Sequence, residues 1–305
     1  MNADMNGLWP AVLMPVTADG ALDTPRALAH CKHMIAQGCN GVTLFGTTGE
    51  GPAFTNAERK GLLEALLAGG LRADQIVVTT SASALADAID IGRHASALGC
   101  HRQLYMPPFY FRNPPQSGIE DAVSAVVRGI NDPKLKVLLY HIPALSSVVF
   151  THESIQTLVA RHPGQVIGAK DSSGDLAHGL ALAKAFPALS ILVGAEQYVG
   201  AVMRVGGSGS INGLGNISPG LMSRIVAAPT QVSPADEKLV LDLLALLSIK
   251  PNMNFVSVYK TMMAEQTGDD AWLNVRLPLM PLENTDAQAV RSGYRAIGAA
   301  ALATV

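Results

Sequence analysis

Eight short apolar runs, each followed by a segment of helical pattern, constrain this chain more than any other feature. They predict strands over 8–14, 41–45, 76–80, 103–106, 137–140, 166–170, 191–193 and 209–212. Most are apolar throughout instead of alternating, as expected of strands covered on both faces. Parallel strands need long crossovers, and the helical segments between the runs supply them. Eight such units over about 215 residues predict an α/β fold, a (β/α)8 TIM barrel.

Cap chemistry supports the helix starts. Asp23 precedes Thr24 and Pro25, a capping side chain followed by proline in the first turn. Thr55 with Glu58, and Ser117 with Glu120, have the spacing of capping boxes. Ser83, Thr151 and Asp175 also stand just before helical patterns. Beyond Ser218 the pattern is helical, including 234–248 and 252–266. The expected organisation is a barrel over 1–217 that carries the active site, with a C-terminal helical extension over 218–305 packed on it.

A doubly wound open sheet would place a Gly-x-Gly-x-x-Gly turn after the first strand, and Pro15 to Gly20 is no such turn. Gly206-Gly207-Ser208-Gly209-Ser210 precedes a strand instead of opening a helix. Gly46-Thr47-Thr48-Gly49-Glu50-Gly51 lacks the Gly-Lys-Ser/Thr ending of a phosphate loop. A net charge of −2 over 305 residues gives no basic footprint for nucleic acid and no polybasic membrane anchor. Cys31, Cys39 and Cys100 form no Cys-x-x-Cys pair, and the odd count suits a reducing compartment. No signal-peptide pattern and no membrane-length apolar run are present, so a cytoplasmic protein is expected. His30 and His33 can share a helix face but have no third ligand at a matching offset, so no metal site is expected.

Barrel active sites lie at the C-terminal ends of the strands. Lys170 stands there, closing an apolar run. A lysine in water titrates near about 10.4 and is mostly protonated at neutral pH. Burial favours the neutral amine, which can attack a carbonyl. The alternative is a solvated lysine paired with Asp171 or Asp175. Tyr140 ends the preceding strand, so its phenol can serve as acid and base beside the amine. Thr47 and Thr48, in the turn that opens at Gly46, can cradle a carboxylate with hydroxyls and backbone N–H groups. Tyr110 sits in an aromatic- and proline-rich loop whose simplest role is packing.

Three segments in this order resemble the dihydrodipicolinate synthase / N-acetylneuraminate lyase family of class I aldolases. They are Gly46-Thr47-Thr48-Gly49-Glu50, Tyr140-His141-Ile142-Pro143, and Gly168-Ala169-Lys170-Asp171-Ser172-Ser173-Gly174-Asp175. The resemblance implies that Lys170 forms an imine with pyruvate or another 2-oxo acid and that Tyr140 moves protons. Gly46, Thr47 and Thr48 would hold the 2-oxo acid carboxylate, and the Ile211 carbonyl would lie near the imine. Tyr110 resembles the family tyrosine that enters a neighbouring subunit's site. The resemblance also implies a homotetramer built as a dimer of dimers. No metal or organic cofactor is implied, because the imine nitrogen is the electron sink.

Departures bear on the substrate. Leu145 stands where synthases of the family carry an arginine for the aldehyde's carboxylate, and Pro143-Ala144-Leu145-Ser146 is closer to the lyase branches. His141 replaces a common asparagine and is expected to alter second-substrate contacts. Glu196 either binds substrate hydroxyls or begins the next helix. The expected activity is cleavage or formation of a 2-keto-3-deoxy sugar acid, or a related 4-hydroxy-2-oxo acid, from pyruvate and an aldehyde. A dehydratase using the same imine, dihydrodipicolinate synthase, and a non-catalytic 2-oxo acid sensor are the alternatives.

Overall fold

The computed structural model describes residues 4–298. The strands are β1 (Gly7–Leu8), β2 (Val42–Leu44), β3 (Ile76–Thr79), β4 (Arg102–Tyr105), β5 (Lys136–His141), β6 (Val166–Asp171), β7 (Ser190–Val193) and β8 (Gly209–Ser210). The barrel helices are α1 (Thr24–Ala36), α2 (Asn56–Ala68), α3 (Leu85–Ala97), α4 (Gln116–Ile130), α5 (Pro143–Ser146), α6 (His152–Arg161), α7 (Leu176–Ala185), α8 (Val199–Met203) and α9 (Pro219–Ala227). They are followed by α10 (Pro234–Ala245), α11 (Phe255–Thr267) and α12 (Asn284–Ile297).

All eight strands are parallel, in the order β1-β8-β7-β6-β5-β4-β3-β2. The ends join through an Ala11–Thr43 bridge, with Thr43 N donating to Pro10 O at 2.8 Å and Val12 N to Thr43 O at 2.9 Å. The sheet is therefore a closed TIM barrel. No helix among the described residues is long and apolar enough to cross a membrane.

The first strand is much shorter than the predicted 8–14. Pro10 has no N–H to give a ladder, and Leu13 N donates to Asn216 Oδ1 at 2.8 Å instead of to a strand. The Asp23 cap and the Thr55–Glu58 capping box form as read, and Thr151 and Asp175 cap α6 and α7. Two caps do not form. Pro115 precedes α4, so Ser117 lies inside the helix and Glu120 pairs with Arg161 at 3.1 Å. Ala84, not Ser83, occupies the cap of α3. In the extension, α11 starts at Phe255 instead of 252, because the Asn254 side chain takes the Val256 amide at 2.9 Å.

Two apolar layers sandwich the sheet. Leu138, Tyr140 and Ile167 belong to the cluster inside the barrel, whereas Val137, Leu139, Val166 and Ala169 pack outward against the helices. Along β6 this breaks simple alternation. Val137 pairs with Val166 but Leu138 pairs with Gly168, so Ile167 is an extra residue in a β-bulge. Strict alternation from Val166 would turn Lys170 outward to the helix layer; with the bulge, Lys170 faces inward beside Tyr140. Gly168 makes the bulge possible, since a Cβ there would stand 1.9 Å from the Ser190 carbonyl oxygen.

His30 on α1 ties the first barrel helix to the loop after β8. Its Nε2 lies 2.9 Å from Asn216 Oδ1, and its ring meets Trp272 edge-on at 5.0 Å. Burial pushes its pKa down from 6.5 to about 4, opposed by the Asn216 contact.

Two outcomes are expected. Gly168→Ala forces a methyl against the Ser190 carbonyl and should cost about 3 kcal/mol, read as a lower denaturation midpoint. His30 stays neutral when folded but takes a proton when unfolded, so its contribution is present above about pH 6.5 and lost as pH falls toward 4, about 3 kcal/mol in all. His30→Gln retains a donor toward Asn216 and should flatten that acid limb in denaturation curves recorded from pH 7 to 4.

Candidate active site

Strands β5 and β6 place Tyr140 directly opposite Lys170 at the C-terminal mouth of the barrel. Both are 4% exposed, and Lys170 Nζ lies 4.1 Å from the centre of the Tyr140 ring. The Tyr140 hydroxyl is 3.1 Å from Thr47 Oγ1, which links β5 to the loop after β2. The alternative partners of Lys170 are engaged elsewhere. Asp171 faces His178 at 3.2 Å, and Asp175 caps α7.

The β2 loop is a strained turn. Phe45 and Glu50 adopt left-handed φ values of 59° and 54°. Gly49 N and Gly51 N return to the Gly46 carbonyl at 3.1 and 3.0 Å, and Glu50 N to Thr47 O at 3.1 Å. A Cβ on Gly51 would sit 1.8 Å from the Phe45 carbonyl oxygen, so that close return demands glycine. Among the described residues the Thr47 and Thr48 amides have no backbone acceptor, and both threonines line the cleft. Gly46 closes the turn and does not line it.

The cleft holds roughly 330 Å³ between Thr47, Thr48, Tyr140, Lys170, Ile211 and Glu196, among others. Glu196 lies within it, yet its Oε1 already accepts from Gly213 N and Leu214 N, both at 3.0 Å, and from Tyr259 OH at 3.2 Å. Burial, with the Glu196 charge beside it, holds the Tyr259 phenol well above its ordinary pKa, so it stays a donor. Tyr110 lies away from the cleft, 77% exposed and edge-on to Phe111 at 5.3 Å.

Sequence reasoning missed a wall contributed by the extension. Leu247, Phe255 and Tyr259 line the cleft. Phe255 and Tyr259 share one face of α11 at a four-residue spacing, the only local signal that both point the same way. His141 corrects another expectation. It is buried on the outer face of β5, absent from the cleft lining, and its Nδ1 accepts from Phe150 N at 3.2 Å. The reason is alternation: the residue after an inward tyrosine points outward.

Behind the strands, His141 stacks on His178 with centroids 4.6 Å apart and planes 16° from parallel. The His178 pKa is raised by its Asp171 contact. Burial would raise the Asp171 carboxyl, but His178 and the Ser173 amide bring it below its ordinary value. Burial and the neighbouring His178 keep His141 low, so it is the neutral ring of the pair. Ligand atoms of His141, Asp171 and His178 lie within 4.8 Å of one another, a grouping of histidines remote in sequence. Face-to-face rings fit an ion pair with a stacked neutral imidazole better than lone pairs aimed at a common ion.

Comparison with known proteins agrees with this geometry. The model of the dihydrodipicolinate synthetase family matches residues 4–297. An uncharacterized DapA-like lyase of Chloroflexus aurantiacus is 33% identical, covering 97% of this chain and 98% of its own length. The crystal structure of dihydrodipicolinate synthase from Agrobacterium tumefaciens superposes with a TM-score of 0.88 at 32% identity, covering 96% of this chain and all (100%) of that one. YagE, an E. coli K12 prophage protein solved in complex with pyruvate, shares the fold with a TM-score of 0.88 at 22% identity, over 97% of this chain and 99% of its own. The chain belongs to the dihydrodipicolinate synthetase family and is a class I lyase/aldolase.

Proposed function

We propose that the protein cleaves or forms 4-hydroxy-2-oxo acids, with pyruvate as the 2-oxo acid and an aldehyde as the other half, through an imine on Lys170. The observation that carries this reading is the registered Tyr140–Lys170 pair with Thr47 on the phenol oxygen. Thr47 and Thr48 are positioned to hold the carboxylate. The Lys170 amine adds to the C2 carbonyl, and loss of one water gives the imine. Tyr140 gives its proton to that departing water, leaving a phenolate beside the protonated imine. In cleavage the phenolate takes the C4 hydroxyl proton as the C3–C4 bond breaks, and that electron pair moves to the iminium nitrogen to give a neutral enamine. The aldehyde leaves, C3 regains a proton, and one water hydrolyses the imine to pyruvate and free amine. The protein groups suffice for every proton in this cycle.

A dehydratase would share the same imine and differ in losing water with the carbon chain intact. Dihydrodipicolinate synthase activity is the second reading, supported by the relative from Agrobacterium tumefaciens. It lacks its expected arginine: Leu145 stands there, 59% exposed at the cleft rim. We also assign Tyr110 to a neighbouring subunit's relay in a homotetramer. Its exposure together with the 76% exposed Phe111 supports burial of this loop by another copy.

Borohydride reduction with pyruvate, followed by peptide mass spectrometry, should give an adduct on Lys170. Lys170→Ala should abolish both adduct and turnover, and substantial remaining turnover would reject the mechanism. Tyr140→Phe should keep the adduct while kcat falls roughly 10²–10⁴-fold. An unchanged kcat would remove Tyr140 from proton transfer.

A further inference from the structure

We infer that the aldehyde half of the substrate carries an apolar substituent, not the polyol of a sugar acid or the carboxylate of a semialdehyde. The inference rests on the imine reading above and concerns the rest of the same cleft.

The cleft is chemically divided. Thr47, Thr48, Tyr140 and Lys170 account for the 2-oxo acid. The opposite wall is built from Ile142, Ala144 and Leu145 after β5, with Leu247 and Phe255 reaching over from the extension. The groups that could receive hydroxyls there are partly engaged. Glu196 Oε1 takes three protein donors, one of them the Tyr259 hydroxyl, which leaves its Oε2 as the free acceptor. Asn212 Nδ2 donates to Ser210 Oγ at 2.7 Å, and its Oδ1 accepts from Gly215 N at 2.9 Å. Among the described residues that line the cleft, Ser172 is left as the hydroxyl at this end without a protein partner. A polyol of several hydroxyls would find only Glu196 Oε2 and Ser172 against an otherwise apolar wall, and would lose more hydrogen bonds to water than it regains.

A second carboxylate fares no better. Lys170 is the one cation lining the cleft among the described residues. Arg276 lines the adjoining groove instead, with Nη2 2.6 Å from Glu58, its guanidinium over the Phe54 ring at 4.6 Å and its unpartnered Nη1 buried. That groove continues the cleft through Thr47, Leu145 and Phe255, which line both. It adds roughly 440 Å³ walled by Pro52, Ala53, Leu277 and Pro278. An alkyl or aryl chain leaving the reacting carbon past Leu145 would run along a mostly apolar surface, with Asn254 and Arg276 as its polar members beside Glu50, which Lys260 pairs.

The test uses the full-length protein in the synthetic direction, with pyruvate and single aldehydes, reading each 4-hydroxy-2-oxo acid by mass spectrometry. From propanal through hexanal, kcat/KM should rise roughly fourfold per methylene, about sixtyfold over the series. Hexanal should exceed both glyceraldehyde and succinic semialdehyde. Leu145→Arg should lower kcat/KM for hexanal about tenfold or more and raise that for succinic semialdehyde, while pyruvate still forms the Lys170 adduct as the check on folding. A preference for glyceraldehyde or succinic semialdehyde, no dependence on chain length, or an adduct that no aldehyde captures would each overturn the inference and leave the imine standing. Absence of the adduct in the unmodified protein would overturn both. The aldehyde series decides the matter on the unmodified chain, whatever the behaviour of Leu145→Arg.

Discussion

One residue inserted in β6 decides which way the site faces. A strand alternates its side chains with a period of two, so a single extra residue turns every later side chain to the other face. Ile167 is that residue, and Gly168 admits it by letting the backbone pass against the Ser190 carbonyl. Downstream of the bulge, Lys170 pairs with Tyr140 inside the barrel while Asp171 pairs with His141 outside it. The same shift thus puts the amine into the cleft and sends the adjacent carboxylate to the helix layer, where His178 meets it. An unshifted strand would exchange the two, leaving a carboxylate where a carbonyl must be attacked.

The strained β2 loop is held from above by a second constraint. Glu50, left-handed and 1% exposed in its side chain, forms an ion pair with Lys260 of α11, whose side chain is 0% exposed. Lys260 also donates to the Asn274 carbonyl at 2.6 Å, and Arg276 N donates to the other Glu50 oxygen at 2.7 Å. Burial lowers the Lys260 pKa, and Glu50 counteracts it. Such a pair adds little net stability over apolar residues but is costly to break, so it fixes position more than it strengthens the fold. What it fixes is the extension relative to Thr47. Phe255 and Tyr259 stand on the same helix as Lys260, so the cleft's apolar wall and its 2-oxo acid end are set by one anchor.

Much of this was legible in the sequence because it is local. Apolar runs located all eight strands, and Asp23, Thr55, Thr151 and Asp175 cap helices as their chemistry requires. Lys170 and Tyr140 were legible because both end apolar runs, and strand ends are where barrels keep their chemistry. The bulge was not, since nothing in Val166 to Lys170 distinguishes an extra residue from an ordinary one until Ser190 is alongside. Ser117 has cap spacing with Glu120, but Pro115 starts the helix earlier and Arg161, remote in sequence, claims the glutamate. The expected effect of His141 on second-substrate contacts rests on its replacing a family asparagine, though adjacency to Tyr140 along a strand turns it to the opposite face. The extension's share of the cleft depends on tertiary placement alone.

The charge layout follows from the same alternation and bears on how an imine can form. Behind the sheet, the Asp171 carboxylate is met by His178, whose raised pKa favours the charged ring, while burial keeps His141 neutral. The pair is close to neutral as a unit, so the layer behind β6 places no net charge behind Lys170. Inside the barrel, Lys170 has the Tyr140 ring at 4.1 Å and, among the described residues, no carboxylate at ion-pair distance. An amine so placed is not committed to a fixed counter-ion, which the proposed imine chemistry requires. Glu196 is the one carboxylate lining the cleft among the described residues, and its hydrogen bonds from Gly213, Leu214 and Tyr259 hold it away from Lys170, so the amine keeps the cleft's one positive charge to itself.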